Sequence, residues 1–282
     1  MTRARTRARG RRRGRPTPDS IQAPPPRESR FAEVATWEPI DLSQAMVVVG
    51  FPTFGLVGSI ATAYLVDSLK LREVGAMLST AFPPAAVVKE GVGSSPVRVF
   101  IGDVKCGPRG ECEQLCIVES TIAPPPKATT RLAYALVEWA QAHRARQLVC
   151  LEGVKMEAGE ADEARIFGVA SDPDGRKMLD MLKVTPPADG LMMGLGGVAL
   201  YAARALGQPA LCLIAETREN FPDARGAAKL LEVLQPLVPL MGIDERPLLE
   251  QAEILEKVFR ELRTKQSQAT KELAEPADVM FG

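Results

Sequence analysis

The sequence contains a single histidine, His143, among its 282 residues, and this scarcity restricts the acid–base chemistry available to it. Histidine is the side chain most often used in general acid–base catalysis. His143 falls at the polar end of a predicted helix, beside Arg144 and Arg146, where a cation suits the helix dipole. We therefore expect His143 to cap that helix, and no Ser-His-Asp or Cys-His arrangement can be argued around it.

Long apolar runs are also lacking. A membrane-spanning helix needs roughly 18 or more consecutive apolar residues. The longest candidates are Met46–Val57 and Leu191–Leu206, and both are interrupted by Gly, Pro or Arg. We therefore predict no membrane-spanning segment and no membrane partner.

A net charge is absent as well, because 35 basic residues balance 35 acidic ones. The balance hides a local excess, since residues 1–30 hold ten arginines and only two acidic side chains, Asp19 and Glu28. This Arg- and Pro-rich stretch has too little apolar content to form a core, so we predict that it is disordered. It also lacks an aromatic residue that could stack on bases, which disfavours nucleic acid as a partner.

Cysteine occurs at five positions, which are Cys106, Cys112, Cys116, Cys150 and Cys212. The number is odd and no secretory signal is recognisable, which favours a reducing cytoplasm with most thiols buried as small apolar groups. The first three are spaced Cys-x5-Cys-x3-Cys in a Gly/Pro-rich loop. Because zinc sites use tighter pairs and a fourth ligand, we predict no metal site and interpret the three as an accidental or redox-sensitive cluster.

From about Phe31, short apolar runs typical of buried strands alternate with helical patterns. The predicted strands are Met46–Val49, Val74–Leu78, Ala86–Val88, Val97–Ile101, Leu115–Val118, Gln147–Leu151, Ile166–Ala170 and Ala210–Ala215. The predicted helices are Leu56–Leu69, Lys127–His143, Arg176–Leu182, Gly194–Leu206, Ala224–Leu234 and Asp244–Thr264, the last with Asp244 as its N-cap. This alternation predicts an α/β fold with a mainly parallel or mixed sheet that is flanked by helices.

The same pattern divides the chain into a tail at 1–30, an α/β domain at 31–264 and a flexible tail at 265–282. Beyond Lys265 the sequence is polar and Ala-rich, and Pro276 would break any helix. The last three residues, Met280, Phe281 and Gly282, are apolar again where the chain should be exposed. A flexible segment with an apolar, aromatic end and a free carboxylate is suited to inserting into a pocket of a partner.

Two glycine clusters each precede a predicted helix. The first lies in Gly50–Ser59, sequence GFPTFGLVGS, and links a strand to a helix. Such a turn can cradle phosphate, but this one lacks the Lys-Ser/Thr pair of a P-loop and the dinucleotide Gly-x-Gly-x-x-Gly spacing. Close packing of helix on sheet explains Gly55 and Gly58 better. The second cluster, Gly194–Gly197, has the same two interpretations, and close packing is again favoured.

Three carboxylates, Glu119, Glu152 and Glu216, each follow an apolar strand run. Ligands of open α/β sheets usually bind at the carboxyl ends of strands, where a carboxylate could act as a general base. Each of the three could equally cap a helix or pair with Lys or Arg, and we favour these structural roles. The residues that would line a ligand cleft at this edge are Gly50, Gly55, Gly58, Glu152 and Glu216.

Several segments form an ordered series along the chain. They are Gly50-Phe51-Pro52 with Gly55-Leu56-Val57-Gly58-Ser59, Phe82-Pro83-Pro84, Leu151-Glu152-Gly153, Gly194 with Gly197, Ala215-Glu216-Thr217, and Pro222-Asp223 with Ala227-Ala228 and Leu230-Leu231-Glu232-Val233-Leu234. Together they resemble the archaeal and eukaryotic proteasome assembly chaperone family, in the branch related to the second eukaryotic chaperone. Each segment alone is weak, but the series covers about 46–262.

The resemblance implies a nucleoside-phosphorylase-like α/β fold that assembles as a homo-oligomer or as a hetero-oligomer with a paralogue. It implies binding to proteasome α-subunits or the core particle, without catalysis, cofactor or ATP. Some archaeal members dock through a C-terminal hydrophobic–tyrosine–any tail. Met280 and Gly282 match that pattern, whereas Phe281 keeps the ring and loses the hydroxyl.

The alternative is an enzyme or ligand-binding protein that uses the predicted cleft for a nucleoside, phosphate or carboxylate substrate. The sequence shows no phosphate loop and no series of Mg²⁺-binding carboxylates to support it. We therefore predict a binding protein first and a cleft-based function second.

Overall fold

An eight-stranded mixed sheet forms the centre of the computed structural model, which describes residues 31–155, 165–217, 222–238, 244, 246–257 and 261. Its strands are β1 (Ala32–Thr36), β2 (Ala45–Gly50), β3 (Arg72–Ser79), β6 (Val97–Gly102), β7 (Gln114–Ser120), β8 (Gln147–Lys155), β9 (Ile166–Ala170) and β10 (Ala210–Thr217). Two short strands, β4 (Val87–Lys89) and β5 (Val92–Ser94), form a separate hairpin.

The strand order in the sheet is β1-β3-β6-β7-β2-β8-β10-β9. The four adjacent strands β7, β2, β8 and β10 are parallel to one another, and the strands outside them join in antiparallel pairs. The predicted α/β fold with a mixed sheet flanked by helices is therefore confirmed. The likeness to nucleoside phosphorylases stays a prediction.

The helices are α1 (Val57–Ser68), α2 (Thr129–Ala142), α3 (Pro173–Met181), α4 (Gly194–Leu206), α5 (Ala224–Leu234) and α6 (246–257). Alternate residues of β2 show how the helices cover both faces. Met46 and Val48 join a core with α1, α5 and α6, while Val47 and Val49 join a core with α2 and α4. A strand that is buried on both faces has a continuous apolar sequence, and this pattern predicts β2.

Most predicted elements are present, and the helices α4 and α5 have the bounds that the sequence predicts. His143 is the C-cap of α2, with its Nδ1 2.9 Å from the carbonyl oxygen of Trp139, as predicted. Asp244, which the sequence predicts as the N-cap of the last helix, accepts a hydrogen bond from the backbone N–H of Arg246 at 3.0 Å. The sequence missed β1 and β5, because a half-buried edge strand and a three-residue strand carry little apolar pattern.

The cysteines are divided between one disulfide and three free thiols. Cys106 and Cys112 form the disulfide, and their backbones exchange hydrogen bonds of 2.9 and 3.0 Å. Cys116, Cys150 and Cys212 are free and buried in strands. Three thiols thus act as small apolar groups, while the cluster interpreted as accidental or redox-sensitive contains a bonded pair, which the sequence analysis did not predict. Across the described residues, no group of three or more potential ligands is placed to hold a metal ion.

No helix in the described part of the chain is both long enough and apolar enough to cross a membrane.

Candidate functional site

A groove of about 1960 Å³ opens at the carboxyl ends of the parallel strands. Its walls come from Pro52–Leu56 after β2, from the end of β8, from Ile214 and Glu216 of β10, and from the segment between α3 and α4. Open α/β sheets bind ligands at this edge, because loops diverge there and leave a crevice. The groove therefore lies where the sequence placed a candidate cleft.

Apolar side chains form much of the groove wall and remain accessible. Leu191 is 88% exposed, Met193 is 79% exposed and Phe54 is 59% exposed. Large apolar side chains at this level of exposure, gathered around a concave surface, are typical of a binding site. Any occupant would therefore make substantial apolar contact.

Glu152 is a buried carboxylate of the groove that contacts the N-terminus of α4. Its Oε1 accepts a hydrogen bond of 2.6 Å from the backbone N–H of Gly196, in the first turn of α4. Burial raises the pKa of Glu152 above its ordinary value, and the bond from Gly196 opposes this shift. The backbone N–H groups at the N-terminus of α4 attract anions. The side chain of Glu152 occupies one of these N–H donors, which a bound phosphate would otherwise use.

The glycines at the start of α4 provide room for this carboxylate. A Cβ on Gly196 would lie 2.8 Å from Cδ of Glu152 and 2.9 Å from Sγ of Cys212. Gly194 has φ of +95°, a conformation that favours glycine. Burial also raises the pKa of the Cys212 thiol, and the nearby charge of Glu152 raises it further. Close packing therefore accounts for this glycine cluster.

Glu216 is held in an ion pair at the groove wall. Arg165 donates from Nε to Oε2 at 2.8 Å and from Nη2 to Oε1 at 2.6 Å. The Glu216 side chain is 8% exposed, while that of Arg165 is 49% exposed. Two-point pairing of this kind fixes the carboxylate in place and lowers its availability as a general base. The site thus presents a neutralised pair to the groove.

The turn after β2 is fixed by contacts to neighbouring strands and to the start of α5. Thr53 Oγ1 accepts a 2.8 Å hydrogen bond from the N–H of Gly153, and the carbonyl of Gly55 accepts one from Asp223 at 2.8 Å. Gly55 has φ of +64°, and a Cβ there would lie 2.9 Å from the Thr217 side chain. The turn is therefore shaped by packing.

Gly50 and Gly58 lie outside the groove, between α1 and the sheet. A Cβ on Gly58 would lie 2.2 Å from the carbonyl oxygen of Leu151, and one on Gly50 would lie 2.2 Å from the carbonyl oxygen of Gly58. The groove therefore brings together three of the predicted cleft residues, Gly55, Glu152 and Glu216. The other two allow α1 to lie close to the sheet, Gly50 at β2 and Gly58 at β8.

Glu119 lies away from the groove. Its Oε1 accepts a hydrogen bond from Nη2 of Arg98 at 3.0 Å, on neighbouring strands β7 and β6. Burial raises the pKa of Glu119, and the charge of Arg98 opposes the shift. Glu119 therefore belongs to a buried ion pair of the outer sheet.

Sequence reasoning missed Arg165 and the apolar loop before α4. Arg165 follows a stretch without strong periodicity, so nothing local indicates that it meets Glu216 across 51 positions. The loop did carry a signal, because Leu191, Met192 and Met193 form an apolar run between Gly residues. Met280, Phe281 and Gly282, the predicted partner-binding residues, lie outside the described residues.

Comparison with known proteins identifies a family and several similar structures. The model of the PAC2 family matches residues 47–263. An uncharacterized protein of Methanocaldococcus jannaschii is 29% identical over 234 residues, which are 83% of this chain and 90% of the relative.

Two solved structures from Pyrococcus furiosus are similar over most of their length. PbaA, an archaeal homolog of proteasome-assembly chaperone, is 26% identical with a TM-score of 0.69, over 85% of this chain and 99% of PbaA. PbaB, an archaeal proteasome activator, is 19% identical with a TM-score of 0.65, over 83% of this chain and 100% of PbaB. The second likeness supports the fold alone.

Proposed function

The chain belongs to the PAC2 family, and from that premise we propose that it acts as a proteasome assembly chaperone-like protein that binds proteasome α-subunits or the core particle. The observation that carries this proposal is the family match over 47–263, together with the similarity to PbaA, which extends over 99% of PbaA. Binding, and not catalysis, is the proposed activity, because Glu152 and Glu216 are each held in structural contacts.

The proposed docking element is the C-terminal Met280-Phe281-Gly282. An apolar side chain, an aromatic ring and a terminal carboxylate can enter a pocket that offers apolar walls and a cation. A single tail of three residues binds weakly, so the proposed working form is a homo-oligomer, or a hetero-oligomer with a paralogue. Several tails on one assembly would raise the effective concentration at a ring of pockets.

The test is a pull-down with the cognate proteasome core and with free α-subunits, followed by electron microscopy of the complex. We expect full-length protein to bind the end rings, and protein lacking 280–282 to lose that binding while unfolding at the same temperature. Phe281→Tyr, which adds a hydroxyl, should strengthen binding. Equal binding by full-length and truncated protein would exclude docking through the tail, and no binding to core or subunits would exclude the proteasome role.

A second candidate is a ligand-binding or enzymatic function at the groove, favoured by its place at the carboxyl ends of β2, β8 and β10. The candidate ligands are nucleosides, phosphate and carboxylates. A ligand present at about 100 times its dissociation constant stabilises the native state by about 2.7 kcal/mol. A thermal-shift panel would detect this, and a panel without any shift would remove the candidate.

A further inference from the structure

Three acidic residues are buried in the described part of the chain, and two of them pair with a cation. Glu119 pairs with Arg98 on the outer strands. Glu216 pairs with Arg165 at the groove wall. Glu152, which is 8% exposed, has no cationic partner among the described residues. Burying a carboxylate without a cation is unfavourable, because nothing replaces its interactions with water, so Glu152 is the buried acid whose charge a bound cation would balance.

Cations are present in the groove, but they interact with other groups. Within the described residues, the four are Lys155, Arg165, Arg176 and Arg204. Arg165 and Arg176 are held in ion pairs. Lys155 has a partner of its own, and the charge of Arg204 acts on Asp172. Burial raises the pKa of Glu152 and only the bond from Gly196 opposes the shift, so none of these cations balances the charge of Glu152.

One oxygen of Glu152 is open to the groove. Oε1 accepts the hydrogen bond from the backbone N–H of Gly196 at 2.6 Å. Oε2 accepts no hydrogen bond from the described residues, and it is not among the enclosed side-chain atoms that lack a partner. Because Glu152 lines the groove, Oε2 is the carboxylate atom that a ligand there would meet.

A single free oxygen distinguishes among the cations that pair with carboxylates. A guanidinium binds best to both oxygens at once, and Gly196 already uses one of them. A metal ion is held by several protein ligands, and no group of three or more potential ligands occurs among the described residues. An ammonium is a compact charge that needs only one acceptor for each donated hydrogen bond. A primary ammonium therefore fits this position best.

The walls of the groove indicate what the ammonium is attached to. Phe54, Leu191 and Met193 are large, exposed and apolar, and they line the same groove as Glu152. Val154, two positions after Glu152 on β8, is also exposed in the groove. A ligand that covers these side chains removes apolar surface from water, which favours binding. One buried acid among apolar walls therefore suits an amphipathic cation.

We propose that the groove binds a ligand with a primary ammonium group on an apolar body, and that the ammonium donates to Oε2 of Glu152. Phe54, Leu191 and Met193 contact the apolar part of the ligand. The inference rests on the second candidate function, ligand binding at the groove, and is independent of the proteasome role. It selects a class other than phosphate or carboxylate, because the charge of Glu152 would repel an anion.

Two sources supply this chemistry, which are small amines and peptides with an apolar first residue and a free amino terminus. The groove volume of about 1960 Å³ leaves room for either, since small-molecule pockets usually enclose about 300–1,000 Å³. The experiment therefore needs one probe of each kind.

Calorimetric titration of the full-length protein with three matched probes tests the charge preference. Phenylbutylamine carries the ammonium, phenylbutanol replaces it with a hydroxyl, and phenylbutyrate replaces it with a carboxylate. We expect the amine to bind about tenfold more tightly than the alcohol, because its hydrogen bond to Glu152 is charge-assisted, and the carboxylate to bind most weakly. A short peptide amide that begins with phenylalanine should bind more tightly than its N-acetylated form. Tighter binding of the peptide than of phenylbutylamine assigns the site to peptide amino termini, and the reverse order assigns it to small amines.

Substitutions test the role of Glu152. Glu152→Gln keeps the shape of the side chain and an acceptor for Gly196 but removes the charge, so the amine and the alcohol should bind equally. Glu250→Gln is the matched control, because it removes one charge at an exposed position of α6 outside the groove, and it should keep the tenfold preference. Leu191→Ala should weaken binding of both probes by a similar factor. Circular dichroism checks that each variant is folded.

Three outcomes would overturn the proposal. The first is an alcohol that binds the unaltered protein as tightly as the amine does, and the second is a Glu152→Gln protein that keeps the preference for the amine. The third is a carboxylate that binds more tightly than the amine, which would leave the groove as a ligand site of another class. Absence of binding by every probe would exclude the ammonium site together with the ligand-binding function of the groove.

Discussion

Gly58→Ala separates the two explanations of the glycine-rich turn, which are close helix packing and a phosphate cradle. Gly58 is in the first turn of α1, where alanine is intrinsically better than glycine by about 1 kcal/mol. Propensity alone therefore predicts that the substitution stabilises the protein. The packing explanation predicts the opposite sign.

The size of the packing effect follows from one contact. The added Cβ would lie 2.2 Å from the carbonyl oxygen of Leu151 in β8, well inside the ordinary separation of about 3.3–3.6 Å between a carbon and a carbonyl oxygen. A backbone oxygen in a central strand cannot rotate away, so α1 must move by roughly 1 Å and loosen the contacts of its buried face. Overpacking of this kind costs about 3 kcal/mol, and about 2 kcal/mol remains after the propensity gain.

Thermal and urea unfolding would measure this loss. For a domain of this size, about 2 kcal/mol corresponds to a fall in Tm of roughly 4–8 °C. Gly190→Ala is the matched control, because the nearest atom to its new Cβ is 3.9 Å away. The control should lie within about 1 kcal/mol of the unaltered chain. A Gly58→Ala protein as stable as the control, or more stable, would refute the packing explanation.

Two further substitutions test the groove and the disulfide. Burial raises the pKa of Glu152, so the native state binds the proton of this carboxyl more tightly than the unfolded chain does. The free energy of unfolding therefore falls as pH rises from the ordinary glutamate pKa towards the raised one. Glu152→Gln should therefore gain stability relative to the unaltered chain as pH rises above 4.5, the ordinary glutamate value. A stability difference that does not change with pH in urea unfolding would contradict this. The Cys106–Cys112 disulfide closes a short loop with a sequence separation of 6, so Cys112→Ser should lower the free energy of unfolding by about 2 kcal/mol. Thiol titration of unfolded protein should find three thiols before reduction and five after it, and five thiols before reduction would contradict the disulfide.

The elements with strong local signals were predictable from the sequence. Helix α4 begins at a glycine cluster and ends before Gly207, which has φ of +71°, and helix α5 begins after Asp223, whose side chain caps it. These signals lie within a few residues of the helix ends, because caps and left-handed positions depend on the local backbone. The α/β class and the family resemblance followed in the same way, from patterns along the chain.

The partners of the site residues were not predictable. Glu152 meets Gly196, 44 positions away, and Glu216 meets Arg165, 51 positions away. The sequence could list a carboxylate's two structural roles, a cap or an ion pair. It could not assign them, because each role depends on which loops lie next to which strands.

The strand order shows the same division between local and long-range information. The apolar runs determined that β2, β7 and β8 exist and are buried, but not that β2 lies between the other two. That arrangement carries Gly58 against Leu151 and opens the groove beside Glu152. The sequence by itself determined the family, the fold class and most of the elements. Only the tertiary structure decided which apolar side chains are buried and which remain exposed, because burial of a side chain depends on neighbours far away along the chain.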